Sequence, residues 1–112
     1  MTTDTFRKKE THSADVLTML QENTDLVVLD VRTKNEFNAG HIKGALNIDI
    51  SQQSAVDELD KLDKDAKYIV HCHTCARSNS AVDYMLKNGF KNIYQMMDGY
   101  FGWNIKGFPF EK

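Results

Sequence analysis

Two segments, Leu26-Val27-Val28-Leu29-Asp30-Val31 and Lys67-Tyr68-Ile69-Val70-His71, are near-continuous runs of β-forming residues. A strand with one face in water alternates apolar and polar residues. An unbroken run instead predicts a strand covered on both faces, the usual situation in a parallel sheet flanked by helices. With 112 residues, the chain has room for one such core and little more. The expectation is therefore a single α/β domain spanning 1–112.

Helical patterns fill the gaps between the runs. Ser13 is placed to cap a first helix whose apolar stripe is Val16, Leu17 and Leu20. A short helix is expected over Lys34 to Ala39, ending at Gly40. Gly44 to Ile48 reads as a short strand. Ser51 to Lys67 reads as a solvated helix and loop, with Val56, Leu59 and Leu62 at helical intervals. The clearest helix runs from Ser78 to Asn88, with Ala81, Val82, Met85 and Leu86 on one face and Gly89 as its stop. Asn92 to Met96 gives another strand, and Tyr100 to Ile105 a short final helix. Tyr100, Phe101 and Trp103 are expected to be packing aromatics.

Charge and cysteine usage narrow the chemistry. A formal net charge of -2 offers no broad basic field, so neither nucleic acid nor an anionic membrane is an expected partner. No apolar run approaches the roughly 20 residues that span a bilayer. The stretch Met1 to Glu10 lacks the apolar centre of a secretory leader, which predicts a cytoplasmic protein with reduced thiols. The only two cysteines are Cys72 and Cys75, too few for a disulfide framework. Their spacing points to redox, metal or catalytic chemistry.

Cys72 stands at the carboxyl end of the second apolar run, where parallel sheets place their sites. The stretch His71-Cys72-His73-Thr74-Cys75-Ala76-Arg77-Ser78 then reads as strand end, six-residue loop from Cys72 to Arg77, and helix start. Such a loop tends to turn its backbone N–H groups inward, and the helix N-terminus adds partial positive charge. This environment favours a thiolate, and hence a sulfur nucleophile at Cys72.

An ordered set of motifs sharpens that reading: Asp30-Val31-Arg32, Glu36-Phe37, Gly40-His41-Ile42-Lys43-Gly44-Ala45, Cys72 followed by Arg77, and Gly89-Phe90-Lys91-Asn92-Ile93-Tyr94. From about Ser13 to Phe110 the sequence resembles a single-domain rhodanese. The resemblance implies a five-stranded parallel sheet with helices on both faces, and a sulfurtransferase without cofactor or metal. It implies that Cys72 takes a sulfane sulfur from thiosulfate or a low-molecular-weight persulfide and passes it to a thiol acceptor. A protein donor or acceptor is the further partner it allows. His73, Thr74, Cys75, Ala76 and Arg77 would cradle the outer sulfur through backbone N–H groups. Asp30, Arg32 and Glu36 match positions near the site and take supporting roles.

Competing readings concern the same loop. Related phosphatases and arsenate reductases place the arginine six positions after the cysteine, whereas Arg77 follows Cys72 by one fewer, which suits a smaller sulfur group. A thiol–disulfide oxidoreductase or redox sensor using Cys72 and Cys75, and a persulfide carrier for a protein partner, are the remaining alternatives. A zinc site from His71, Cys72, His73 and Cys75 is disfavoured because neighbouring strand residues point in opposite directions. Cys75 departs from the family pattern. It is either a resolving cysteine, able to displace hydrosulfide from a Cys72 persulfide, or a loop residue whose backbone alone matters.

Overall fold

The computed structural model describes residues 8–23 and 25–112. Most of the stretch read as lacking a secretory leader therefore lies outside the described residues. Five strands form one parallel sheet: β1 (Lys9–Thr11), β2 (Leu26–Asp30), β4 (Leu46–Asn47), β5 (Lys67–His71) and β6 (Asn92–Met96). Their spatial order is β1-β6-β5-β2-β4. A separate two-stranded ladder pairs β3 (His41–Ile42) antiparallel with β7 (Phe110–Glu111). The helices are α1 (Ser13–Glu22), α2 (Lys34–Ala39), α3 (Ala55–Asp60), α4 (Ala76–Lys87) and α5 (Gly99–Ile105). None of them is long and apolar enough to cross a membrane.

Both faces of the sheet are covered, as the unbroken apolar runs require. On one face Leu29, Tyr68, Val70, Cys72 and Ile93 pack with Ala55 and Leu59 of α3 and Ala81, Val82 and Met85 of α4. On the other, Val28, Ile69 and Met96 pack with Val16 of α1 and Tyr100 and Trp103 of α5. Alternation along β5 therefore turns Tyr68, Val70 and Cys72 toward α3 and α4, and Ile69 toward α1 and α5.

Beyond β2 the chain passes to β4 on one side, and beyond β5 it passes to β6 on the other. The connections diverge at the carboxyl ends of β2 and β5, which is where a crevice opens in a parallel sheet. Asp30 and His71 are register partners at that edge, and Val31 donates to the His71 carbonyl at 2.9 Å. Cys72 is the next residue.

Several local expectations are corrected. His12, not Ser13, is the N-cap of α1. Ser13 instead donates its N–H and hydroxyl to the Asp98 carboxylate at 2.9 and 2.6 Å, tying α1 to the start of α5. The Gly44 to Ile48 strand shrinks to Leu46–Asn47, because Gly44 turns the chain at φ 84°. Helix α4 begins at Ala76, two residues before Ser78, and Arg77 is therefore in its first turn. Phe101 is about half exposed, at 49%, so it packs at the surface and not in the core with Tyr100 and Trp103. Strands β1, β3 and β7 carry too few apolar residues to have been visible as strands.

Gly99 fixes how α5 meets the Cys72 loop. Its φ of 60° is left-handed, and a Cβ there would run into the His73 and Cys72 carbonyl groups. Tyr100 and Phe101 donate their N–H groups to those same carbonyls at 2.8 and 3.1 Å. A Gly99→Ala substitution is expected to destabilise the protein by about 2 kcal/mol or more, since both the backbone conformation and the space are lost. Urea denaturation measures this; a loss under about 0.5 kcal/mol would show that the close approach is unimportant.

Candidate active site

Helix α4 has no side-chain cap, because its N-cap is Cys75. The first turn of any helix leaves N–H groups without intrahelical partners. Here the acceptor is sulfur. Cys72 Sγ accepts from the N–H of Cys75 at 3.0 Å and from the N–H of Ser78 at 3.3 Å. Ser78 is the third residue of α4, so its N–H is one of those orphan donors. The positive end of the helix and two converging N–H groups thus meet at one sulfur atom, an arrangement that stabilises negative charge there.

The loop is held rigidly around this point. The Cys75 carbonyl accepts from Asn79 N–H and Ser78 Oγ, each at 3.0 Å, and from Gln95 Nε2 at 3.4 Å. Gln95 Nε2 also reaches Ser78 Oγ at 2.7 Å and Asn79 Oδ1 at 2.8 Å. The Cys72 carbonyl accepts from Tyr100 N–H and from His71 Nδ1, the latter at 2.9 Å. That bond sets the His71 tautomer, with the proton on Nδ1. Burial pushes the His71 pKa below its ordinary value, against the opposing pull of Asp30, so the ring is neutral at neutral pH.

Cys75 is the one non-glycine residue with positive φ among the described residues, at 111°. A side chain in that region costs about 1–3 kcal/mol, a strain that persists only where the surroundings over-determine the backbone. The three donors on its carbonyl do so.

The charged residues form two separate pairs. Arg32 and Asp30 are both buried; Arg32 Nη2 bonds Asp30 Oδ2 and the Gly40 carbonyl, each at 2.7 Å. The Arg32 guanidinium also lies 4.3 Å from the Tyr100 ring centroid. Asp30 thereby braces the end of β2 against the loop before β3. Glu36 and Arg77 form the second pair, a two-pronged contact at 2.6 and 3.0 Å between half-exposed side chains. Glu36 is also the reciprocal partner of Thr33 in a capping box at the start of α2. The positive charge of Arg77 is therefore matched by a carboxylate and not left free for an anion.

Of the other loop residues, His73 and Thr74 are exposed, and the His73 ring packs edge-on against Phe101 at 5.6 Å between centroids. Cys72 itself is 1% exposed, whereas Cys75 is partly exposed. A groove of about 490 Å³ flanks the loop, lined by Arg32, Glu36, His73, Tyr100, Phe101 and Phe110 among others. Among the described residues, no three His, Cys, Asp or Glu side chains gather in a way that could hold a metal ion.

The profile of the rhodanese-like domain matches residues 13–106. The chain belongs to the rhodanese-like family. Thiosulfate sulfurtransferase GlpE of Shewanella oneidensis is 28% identical over 92 residues, which cover 82% of this chain and 89% of that protein. The crystal structure of a rhodanese-related protein from Thermoplasma volcanium superposes with a TM-score of 0.81 at 29% identity, covering 92% of this chain and 97% of the other. The polysulfide-sulfur transferase homodimer of Wolinella succinogenes gives 0.77 at 28% identity, covering 93% and 78%. The comparisons align the chain with a family of sulfurtransferases, and the parallel sheet is the rhodanese arrangement.

Three residues around the rhodanese loop have site contacts that the sequence reading does not assign to them. Ser78 reads as a helix start in the sequence, and only the true start at Ala76 makes its N–H a donor to sulfur. Gln95 is a polar side chain inside the strand expected over Asn92 to Met96, and it is fully buried. Gly99 carries no signal, because its role depends on tertiary approach.

The Arg77 contact holds the Glu36 carboxyl down at about 2, against an ordinary 4.5. A lowered carboxylate pKa contributes stability that is complete above the ordinary value and disappears as pH falls through the folded one. Glu36→Gln should therefore flatten the acid limb of the stability profile between about pH 4.5 and about pH 2. Denaturant midpoints measured across that range provide the check. Parallel profiles for the two proteins would show that the pair is not formed in solution.

Proposed function

We propose that the protein is a sulfurtransferase that carries sulfane sulfur as a persulfide on Cys72. The observation that carries this reading is the pair of N–H groups, from Cys75 and Ser78, converging on Cys72 Sγ at the N-terminus of α4. The same donors that favour the thiolate also favour an anionic persulfide at that position. Family membership and the named activities of the relatives support the reading.

In the first half of the cycle the Cys72 thiolate attacks the outer sulfur of a donor. The donor's sulfur–sulfur bond breaks, its remaining thiolate or sulfite leaves, and Cys72 keeps one sulfur. In the second half an acceptor thiolate attacks that outer sulfur and takes it away, leaving the Cys72 thiolate in its N–H cradle. No net oxidation occurs and no cofactor is required. Negative charge shifts between the two sulfurs, and fixed dipoles at the helix N-terminus stabilise it without reorganising.

The donor is a low-molecular-weight persulfide in preference to thiosulfate. Thiosulfate is a dianion, and Arg77, the fixed cation nearest the loop in sequence, is already paired with Glu36. A persulfide, whose reacting end carries a single charge and whose tail is organic, loses less from that neutralisation. The neighbouring groove, with Phe101 and Phe110 exposed on its wall, suits such a tail.

Cys72→Ser is expected to lower sulfur transfer by on the order of a thousandfold or more, since nothing else in the loop replaces the nucleophile. Steady-state assays with thiosulfate and with glutathione persulfide test the donor assignment. The expected order is a higher kcat/KM for glutathione persulfide. A higher value for thiosulfate would contradict the donor assignment, and an active Cys72→Ser protein would contradict the carrier assignment.

A further inference from the structure

Sulfur transfer as described uses only the backbone of Cys75. The side chain nonetheless stands where the backbone least favours one. A φ of 111° suits glycine, and three donors on the Cys75 carbonyl lock the residue there. The residue held in that conformation is the only other cysteine of the chain. Its N–H touches Cys72 Sγ at 3.0 Å. With an N–Cα bond of about 1.46 Å, its Cα lies within about 4.5 Å of that sulfur, inside the reach of a disulfide. The two thiols also differ in access, Cys72 being 1% exposed and Cys75 partly exposed.

We infer that Cys75 is a resolving cysteine, which converts the Cys72 persulfide into a Cys72–Cys75 disulfide and releases hydrosulfide. The inference rests on the persulfide reading above and adds a second outcome for the bound sulfur. Cys75 sulfur attacks the inner sulfur, Cys72 Sγ. The bond between Cys72 Sγ and the outer sulfur breaks, and that sulfur departs as hydrosulfide carrying the former Cys75 proton. The sulfane sulfur gains two electrons, and the two cysteine sulfurs supply them as they join.

The disulfide is then reopened by an external dithiol, the reductant this cycle requires. Exposure directs the attack to Cys75 Sγ. The leaving group is then the Cys72 thiolate, which returns to the two N–H groups of Cys75 and Ser78 and is ready for the next donor. A dithiol thus drives sulfide release, whereas a monothiol acceptor that takes the outer sulfur directly carries it away as a new persulfide. The fate of the sulfur is set by competition between Cys75 and the acceptor.

The test is a single loading under anaerobic conditions. The reduced protein is given thiosulfate in one arm and inorganic polysulfide in another, freed of the reagent by gel filtration, and held without added thiol. Hydrosulfide is measured, and remaining thiols are alkylated for peptide mass spectrometry. The wild-type protein is expected to release about one hydrosulfide per loaded chain and to yield a peptide lighter by two hydrogens, linking Cys72 to Cys75. Cys75→Ser and Cys75→Gly keep the backbone N–H and should hold the extra sulfur on Cys72 until a thiol is added. Wild-type protein that keeps its sulfur on Cys72 with Cys75 still open to alkylation would overturn the inference and leave the persulfide reading intact. Sulfur found on Cys75, or a disulfide formed without an equivalent of hydrosulfide, would also overturn it. If neither reagent places sulfur on Cys72 in any of the three proteins, the persulfide reading fails and this inference fails with it.

Discussion

Cys72 Sγ acts as the cap of helix α4, and most of the site follows from that. A helix start normally finds its acceptor in a serine, threonine or aspartate side chain at the N-cap. Here the N-cap is Cys75, which gives no side-chain bond, and the acceptor is the sulfur three residues earlier. The same bonds that complete the helix therefore place partial positive charge around the sulfur of Cys72. Helix stability and the proposed reactivity draw on one arrangement, so the loop cannot relax without uncapping the helix.

The rest of the fold holds that arrangement in place. Strand β5 delivers Cys72 to the crevice edge and turns it toward α4, while His71 steadies its carbonyl. Gln95 ties β6 to the Cys75 carbonyl and to the first turn of α4. Gly99 allows α5 to come close enough for Tyr100 and Phe101 to donate to the loop carbonyls. Asp30 and Arg32 brace the neighbouring strand end from inside, and Glu36 and Arg77 join α2 to α4 from outside. Together these contacts constrain the backbone on either side of Cys72.

The buried part of this design was legible in the sequence. The runs at Leu26 to Val31 and Lys67 to His71 announced strands covered on both faces, and Ala81, Val82, Met85 and Leu86 announced the helix behind Cys72. What stayed hidden was set by tertiary contact. The start of α4 was placed two residues late because Cys75, Ala76 and Arg77 carry no capping signal; the cap comes from elsewhere in the loop. Ser13 looked like a cap but serves Asp98, since a hydroxyl satisfies whichever neighbour the fold provides. The pairing of Arg77 with Glu36 joins residues 41 apart, a distance at which spacing alone says nothing. Strands β1, β3 and β7 are two or three residues long and carry at most one apolar side chain each, too little pattern to read as strands.

The proposed chemistry depends on the N–H groups of Cys75 and Ser78 that meet at Cys72 Sγ, the atom on which the sulfur is to be loaded. Amide proton and nitrogen chemical shifts, recorded before and after one sulfur is added to Cys72 in a Cys75→Ser background, test it most directly. The amides of residue 75 and Ser78 should show the largest changes in the protein, with those of β1 and α3 unmoved. Unchanged amides at those two positions, with the sulfur demonstrably on Cys72, would contradict that dependence.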